Sequence, residues 1–345
     1  MTDKFPLFRL PHVALNEVLN HVGPEAILPL SLCSKRSKRL VKLCQGPRKE
    51  MNIILNISKN VLEVSYDSFI SVTAVSSLPT NLKTVKIGSH MVPVEMEEGV
   101  LKTYWMDGKE GLKEVIKYTS DVFNRKLYSI SARGNSDDVR YWLEWIKTIQ
   151  GKLCRLFLST SRMVEEWSEK KNDAILHILE NDTVTEDIFL SCPLSPEFRG
   201  PSPRPFSIDC LVLLPSYWVT LNHLLAMDIK RITLNRSLLT SQELNIFLKK
   251  WINGECSKWI KELYVDNYVA EDALMEGIDI NRRYLNLRRD YALYDGVVEN
   301  IFGGLDIKRK EDGAMATIVS QHQQQGMLTE LKVVFWPDCK GNPYH

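Results

Sequence analysis

The sequence predicts an α+β chain: three short N-terminal helices, an antiparallel β-meander, a solenoid of strand–helix repeats and a C-terminal β-hairpin. Three observations carry that prediction. Apolar residues at helical spacing fill the first 45 positions, alternating β-branched runs fill 48–105, and from Leu127 onward one strand template returns five times with helical stretches between its copies. With 345 residues, 44% hydrophobic and 25% charged, the chain has room for two unequal domains and the composition of an ordinary globular protein.

In the opening stretch Pro11 and Pro24 each sit where a first helical residue belongs, because a missing N–H is harmless there. Leu15, Val18, Leu19 and Val22 follow i, i+3, i+4, i+7 on one apolar stripe that Gly23 closes. Ser34 is placed to cap a third helix in which Ser37, Leu40, Val41 and Cys44 share a face. Pro29 falls inside the second helix, where it removes a backbone bond at a cost of about 3 kcal/mol unless the helix bends. Three amphipathic helices in so few residues leave apolar surface for a partner. Up to Gln45 there are seven basic residues against three acidic ones, a net +4, so an acidic partner suits the segment best.

After Gly46 and Pro47, "MNIILNIS" and "VLEVSYD" flank a turn at Lys59 and Asn60, and "LKTVKIG" and "VPVEMEEG" end on turn signals at Gly88 and Gly99. Residues 48–105 are therefore expected to form an antiparallel meander. The repeat template then reads Leu127-x-x-Ile130-x-Ala132, Leu153-x-x-Leu156-x-Leu158, Thr185-x-x-Ile188-x-Leu190, Ile229-x-x-Ile232-x-Leu234 and Ile260-x-x-Leu263-x-Val265. Its steps of 26, 32, 44 and 31 residues are longer and less even than those of leucine-rich repeats but of the same kind.

Between the strands, Ser136 opens a helix whose stripe is Val139, Trp142, Leu143 and Ile146 and whose stop is Gly151. Thr240 and Glu243 make a capping box for a second, with Leu244, Phe247, Leu248 and Trp251 on one face before Gly254. Such units predict a leucine-rich-repeat-like parallel sheet over 106–280 with helices on its outer face, and five prolines between Pro193 and Pro205 mark a loop inserted into the 44-residue step. Asp312-Gly313 signals the closing hairpin of a β-rich cap over 281–345, and "LKVVFW" adds a strand.

Two stretches resemble known families. "FPLFRLP", "VLNHV" and "PEAILPLSLCSKRSKRLVK" resemble an F-box in its nematode form, with the Leu10-Pro11 pair and the Leu30–Lys35 run at the family's spacing. Asn235 to Gly254, "NRSLLTSQELNIFLKKWING", is similar to the type 2 F-box-associated domain of nematode F-box proteins. The resemblance implies an F-box at 1–45 and an F-box-associated domain at 46–345. It further implies docking on a Skp-type adaptor through Leu10, Pro11, Val18, Leu19, Val22, Leu28, Leu30, Cys33 and Lys35, a cullin and ring-finger scaffold beyond the adaptor, and selection of a target protein for ubiquitination by the second domain. A ligase-independent interaction scaffold is the alternative.

Within the template, the residue between the last two buried positions points onto the open face of the sheet. That row reads Ser131, Phe157, Phe189, Thr233 and Tyr264, of which Phe157, Phe189, Thr233 and Tyr264 are the candidate target-binding residues, since aromatic anchors dominate protein interfaces. No nucleophile elbow, zinc-ligand pair or phosphate-cradling glycine loop occurs, so neither catalysis nor a cofactor is expected. His322 stands alone in a polar loop, and "DIKRKED" reads as a solvated hairpin, which argues against a metal and against nucleic acid. No apolar run reaches the roughly 20 residues of a membrane span, and the chain opens without a signal-peptide pattern. With seven scattered cysteines and no C-x-x-C, the expected location is cytoplasmic or nuclear.

Overall fold

The computed structural model describes residues 7–44, 51–65, 68–133, 137–159, 169–292, 297–319, 323–324, 327–328 and 330–336. After a 3-10 turn at Leu7–Arg9 come α1 (His12–His21), α2 (Pro24–Leu32) and α3 (Lys35–Cys44). Pro24 is the first residue of α2, whereas Pro11 occupies the capping position one residue before α1. Ser34 caps α3, its Oγ accepting from the Ser37 N–H at 3.0 Å. α2 runs through Pro29 to Leu32. Leu15, Leu19, Ile27, Leu28 and Val41 are buried.

The chain divides into two compact units, Met1–Asp138 with Thr148–Leu153, and Val139–Lys147 with Cys154–His345. In the first, the helices are followed by β1 (Ile53–Asn56), β2 (Val61–Val64), β3 (Ser68–Ala74), β4 (Lys83–Ile87), β5 (His90–Glu97), β6 (Val100–Trp105), α4 (Gly108–Phe123) and β7 (Leu127–Arg133). The predicted turns are present, with Asn60, Gly88 and Gly99 all at positive φ. The antiparallel meander is not. Strand order is β7-β1-β2-β3-β6-β5-β4, with β3 parallel to β6 (Phe69↔Val100 through Ala74↔Trp105) and β1 parallel to β7. Hairpins announce themselves through turn residues, but a parallel pairing between distant strands leaves no local mark.

Asp107 caps α4 by accepting from the N–H groups of Lys109 and Glu110 at 2.8 and 3.1 Å, and α4 touches β2, β3, β4 and β6 as well as α2 and α3. Its buried face carries Leu112, Val115, Ile116, Val122 and Phe123, with Gly111 against the Trp105 ring. A Cβ at Gly111 would stand 2.5 Å from Trp105 Cγ. Gly111→Ala is therefore expected to cost about 1–3 kcal/mol of overpacking, read as a lower urea midpoint, although alanine is the better helix former. An unchanged or raised midpoint contradicts this packing.

In chain order, α5 (Asp137–Ile149), β8 (Leu153–Ser159), α6 (Glu169–Glu180), β9 (Val184–Ser191), β10 (Cys210–Leu214), α7 (Leu221–Ala226), β11 (Arg231–Leu234) and α8 (Ser241–Ile252) come next. They are followed by β12 (Glu262–Val265), β13 (Val269–Ala270), α9 (Glu271–Met275), β14 (Asn281–Ala292), β15 (Val298–Lys308), β16 (Met315–Val319), β17 (Gln323–Gln324), β18 (Met327–Leu328) and β19 (Leu331–Phe335). Both anticipated helix stripes are buried, and the Thr240–Glu243 capping box is formed. Ser136, the expected start of α5, and His322 lie outside the described residues.

The repeat solenoid is corrected here. Across the second unit's sheet the order is β14-β15-β16-β19-β12-β11-β10-β9-β8, in which β9, β10, β11 and β12 pair in parallel while β12–β19–β16–β15–β14 is antiparallel throughout. One mixed sheet thus replaces a uniform array of repeats with a separate cap. A solenoid needs each unit to meet only its neighbours, yet β12 pairs with the distant β19, which the spacing of the template cannot encode. The interval read as an inserted proline loop also contains β10 and α7, so the 44-residue step is two steps of 23 and 21 residues, from Ile188 to Leu211 to Ile232.

Candidate functional site

Two surfaces, one on each unit, carry the residues that sequence singled out. On the three helices Pro11, Cys33 and Lys35 are exposed, Leu10, Val22 and Leu30 are half-buried, and Val18 is 38% exposed, while Leu19 and Leu28 lie in the interior. Val13 and Leu43, which sequence reasoning did not select, are 75% and 62% exposed. Apolar side chains standing in water on a module whose own core is filled are what an interaction surface requires.

The helices are held to the rest of their unit by α4, which touches α2 and α3, and by β3 and β4, which touch α2. The hydroxyls of Ser31 and Tyr118 share a hydrogen bond at 3.0 Å, and Ser31 Oγ also donates to the Leu28 carbonyl at 2.7 Å. Lys38 Nζ sits 4.2 Å above the Tyr118 ring and 2.8 Å from Asp121, which Lys42 also reaches. Burial pushes the Asp121 carboxyl up, but the two ammonium groups outweigh it and hold it below the usual carboxylate range.

On the second unit the row that alternation predicts is assembled by register. Phe157 and Phe189 stack with ring centroids 4.4 Å apart and planes 11° from parallel. Phe189 lies in register with Val212, Val212 with Thr233, Thr233 with Tyr264, and Tyr264 with Lys332. Phe157, Phe189, Val212, Thr233 and Tyr264 are all half-buried. Ser131 belongs to the first unit. Val212 escaped sequence reasoning because its apolar run "CLVLL" stands beside the prolines that suggested a loop. That proline-rich segment packs instead on the helices, where Arg204 donates to the Leu179 carbonyl of α6 at 2.9 Å and the His223 ring of α7 meets the Pro201 carbonyl at 2.8 Å.

Charges flank the row. Arg155 pairs with Asp187 at 2.7 Å, and Arg231 Nε stands 3.0 Å from Glu262 Oε2, an ion pair whose angles miss a hydrogen bond. Lys332 reaches Glu299 at 2.5 Å and Glu262 at 3.6 Å. Burial first, and then the hydrogen bond it donates to Glu330 at 2.5 Å, push the Tyr264 phenol up, so it remains a neutral donor. Burial likewise raises the thiols of Cys154 and Cys256 to about 11, which keeps both protonated at neutral pH and poor as nucleophiles.

Comparison with known proteins matches two parts of the chain. Residues 7–49 match the family model described as F-box domain, and residues 204–265 match the model described as F-box associated. The chain carries an F-box and an F-box-associated domain. The F-box match spans α1–α3, and the F-box-associated match contains β10, α7, β11, α8 and β12, and with them Val212, Thr233 and Tyr264. Among curated proteins, Skn-1 dependent zygotic transcript 15 protein of Caenorhabditis elegans is 24% identical, with 91% of this chain and 93% of that one covered. E3 ubiquitin-protein ligase hecw-1 of the same organism is 23% identical over 84% of this chain, which spans 25% of that longer relative. No solved structure matches the chain. Among the described residues no helix is long and apolar enough to cross a membrane.

Proposed function

We propose that this F-box protein is the substrate-recognition subunit of a Skp–cullin–F-box ubiquitin ligase. The observation that carries the proposal is the F-box itself: residues 7–49 match that domain while Leu15, Leu19, Ile27, Leu28 and Val41 fill its interior and Pro11, Val13 and Val18 remain in water. In this reading residues 1–45 are the adaptor-binding segment and 46–345 the F-box-associated part. Leu10, Pro11, Val18, Val22, Leu30, Cys33 and Lys35 touch the Skp-type adaptor, Leu19 and Leu28 shape the surface from within, and a cullin follows through the adaptor.

The second unit holds a target protein against the row Phe157, Phe189, Val212, Thr233 and Tyr264, whose stacked aromatics supply rigid apolar anchors and whose flanking ion pairs supply a polar rim. The chain breaks no bond in this reading. It raises the effective concentration of the target beside the ubiquitin-carrying enzyme. That one relative is a ubiquitin-protein ligase supports the same pathway.

The test is co-purification of the full chain and a Leu10→Ala/Pro11→Ala variant with adaptor and cullin. Wild type is expected to recover both and the variant neither, with thermal unfolding unchanged. Undiminished recovery by the variant overturns the adaptor surface; recovery of adaptor without cullin by wild type favours a ligase-independent scaffold.

A further inference from the structure

At the C-terminal ends of the parallel strands β11 and β12, two loops of the second unit are tied to each other. The Ser237 N–H donates to the Asp266 carbonyl at 3.2 Å, Asn267 Nδ2 to the Leu239 carbonyl at 2.9 Å, and the Ala270 N–H to Ser241 Oγ at 3.0 Å. Beside these ties Arg236 stands at a φ of 53°, a left-handed conformation that a residue other than glycine keeps only where its surroundings enforce it. Leu239 and Val269 are 1% and 0% exposed, so each pins its loop to the core. Their sequence neighbours face the other way, Leu238 being 68% and Tyr268 69% exposed. Large side chains standing in water on a braced backbone lose little freedom when a partner covers them, and tyrosine is among the residues that dominate interface energies.

The surroundings of the pair are acidic. Over 235–243 and 265–276 the one basic residue, Arg236, stands against Glu243, Asp266, Glu271, Asp272 and Glu276, a net −4. Arg282 reaches Glu271 at 2.6 Å and brings that to −3. Among the described residues no cation lies within ion-pair distance of Asp266 or Asp272. A field of this sign repels nucleic acid, anionic lipid and acidic protein alike, and it favours a partner whose apolar contact carries positive charge beside it.

We propose that Leu238 and Tyr268 form a docking surface for a basic protein segment, one that presents an aliphatic or aromatic side chain next to lysine or arginine. The surface is distinct from the row that ends at Tyr264, and it goes beyond the receptor reading without depending on it. Adaptor recovery by the helices is measured separately, so failure of one leaves the other standing.

The test titrates full-length protein into fluorescent degenerate peptide pools centred on a fixed Phe-Lys-Lys, Phe-Glu-Glu or Ala-Lys-Lys, following anisotropy. The Phe-Lys-Lys pool is expected to bind at least about tenfold more tightly than either of the others, and its lead over Phe-Glu-Glu should shrink as salt is added. Leu238→Ser/Tyr268→Ser should erase the lead of phenylalanine over alanine, and Asp266→Asn/Asp272→Asn should reduce the lead of lysine over glutamate while sparing that of phenylalanine, both variants unfolding at the wild-type temperature. Equal binding of the pools, or a Phe-Lys-Lys lead that survives in the serine double, overturns the proposal. So does a wild-type dimer in sedimentation that the serine double converts to monomer without any pool preference, since the occupant is then a second copy of the chain.

Discussion

Asp306→Ala should lower the chain's resistance to urea by the equivalent of about 3–5 kcal/mol, the cost typical of removing one partner from a buried ion pair. Asp306 and Arg289 have side chains 2% and 0% exposed, and among the described residues the carboxylate is the only counter-ion that Arg289 touches. Without it the guanidinium keeps the Gly303 carbonyl and the Trp336 face, neither of which carries a charge. The damage extends further, because Thr317 Oγ1 donates to Asp306 while accepting from Trp336 Nε1 at 2.8 Å, so one deletion loosens a relay through β15, β16 and the residue after β19. Arg283, whose Nε also donates to Asp306 at 2.6 Å, is 27% exposed and can turn to water. Replacing the pair together, Arg289→Met with Asp306→Leu, should cost less than Asp306→Ala alone, since an apolar pair leaves no buried charge. A loss below about 1 kcal/mol in the single variant would mean that Arg289 finds water or another anion.

Leu28→Ala should cost about 2–5 kcal/mol of stability, whereas Pro11→Ala should stay within about 0.5 kcal/mol. The two residues were selected on the same grounds, and burial separates them. Leu28 is 2% exposed on a helix that touches α4, β3 and β4, so truncation leaves a cavity inside the first unit, while Pro11 stands in water. Denaturation and adaptor capture, measured on the same samples, distinguish their roles: Leu28→Ala is expected to lose folded protein, and Pro11→Ala to lose capture by folded protein. Equal midpoints for wild type and Leu28→Ala would refute the packing of α2. Because the helices share a unit with α4, removing residues 1–45 also strips the Ser31, Lys38 and Lys42 contacts from Tyr118 and Asp121, so point variants report on binding more cleanly than truncation.

Legibility follows the range of the interaction. Ser34, Asn60, Thr240 with Glu243, and Gly254 announce caps and turns because a cap is satisfied within three residues of itself. The stripes Val139-Trp142-Leu143-Ile146 and Leu244-Phe247-Leu248-Trp251 announce buried helix faces because helical geometry repeats along the chain. The alignment of Thr233 with Tyr264 and the meeting of Phe157 with Phe189 were readable for the same reason at period two. Val212 was not, since "CLVLL" is a short apolar run beside prolines and periodicity alone does not mark such a run as a strand. The outward pair Leu238 and Tyr268 was invisible because only the core beneath decides that Leu239 and Val269 turn in and their neighbours out.

By itself, then, the sequence determined the three helices and their F-box pattern, the local caps and turns, most of the strands and the alternation that puts aromatics on one face. Tertiary structure alone decided that β3 pairs with β6 and β12 with β19, turning an expected meander and solenoid into mixed sheet, that Leu19 and Leu28 face inward while Val13 and Leu43 face out, and that two arginines share Asp306. The physical reason is common to all three. Each depends on which distant segments meet, and the free energy of such meetings resides in burial and in charge neutralisation between residues far apart in the chain, for which no local spacing is a signature.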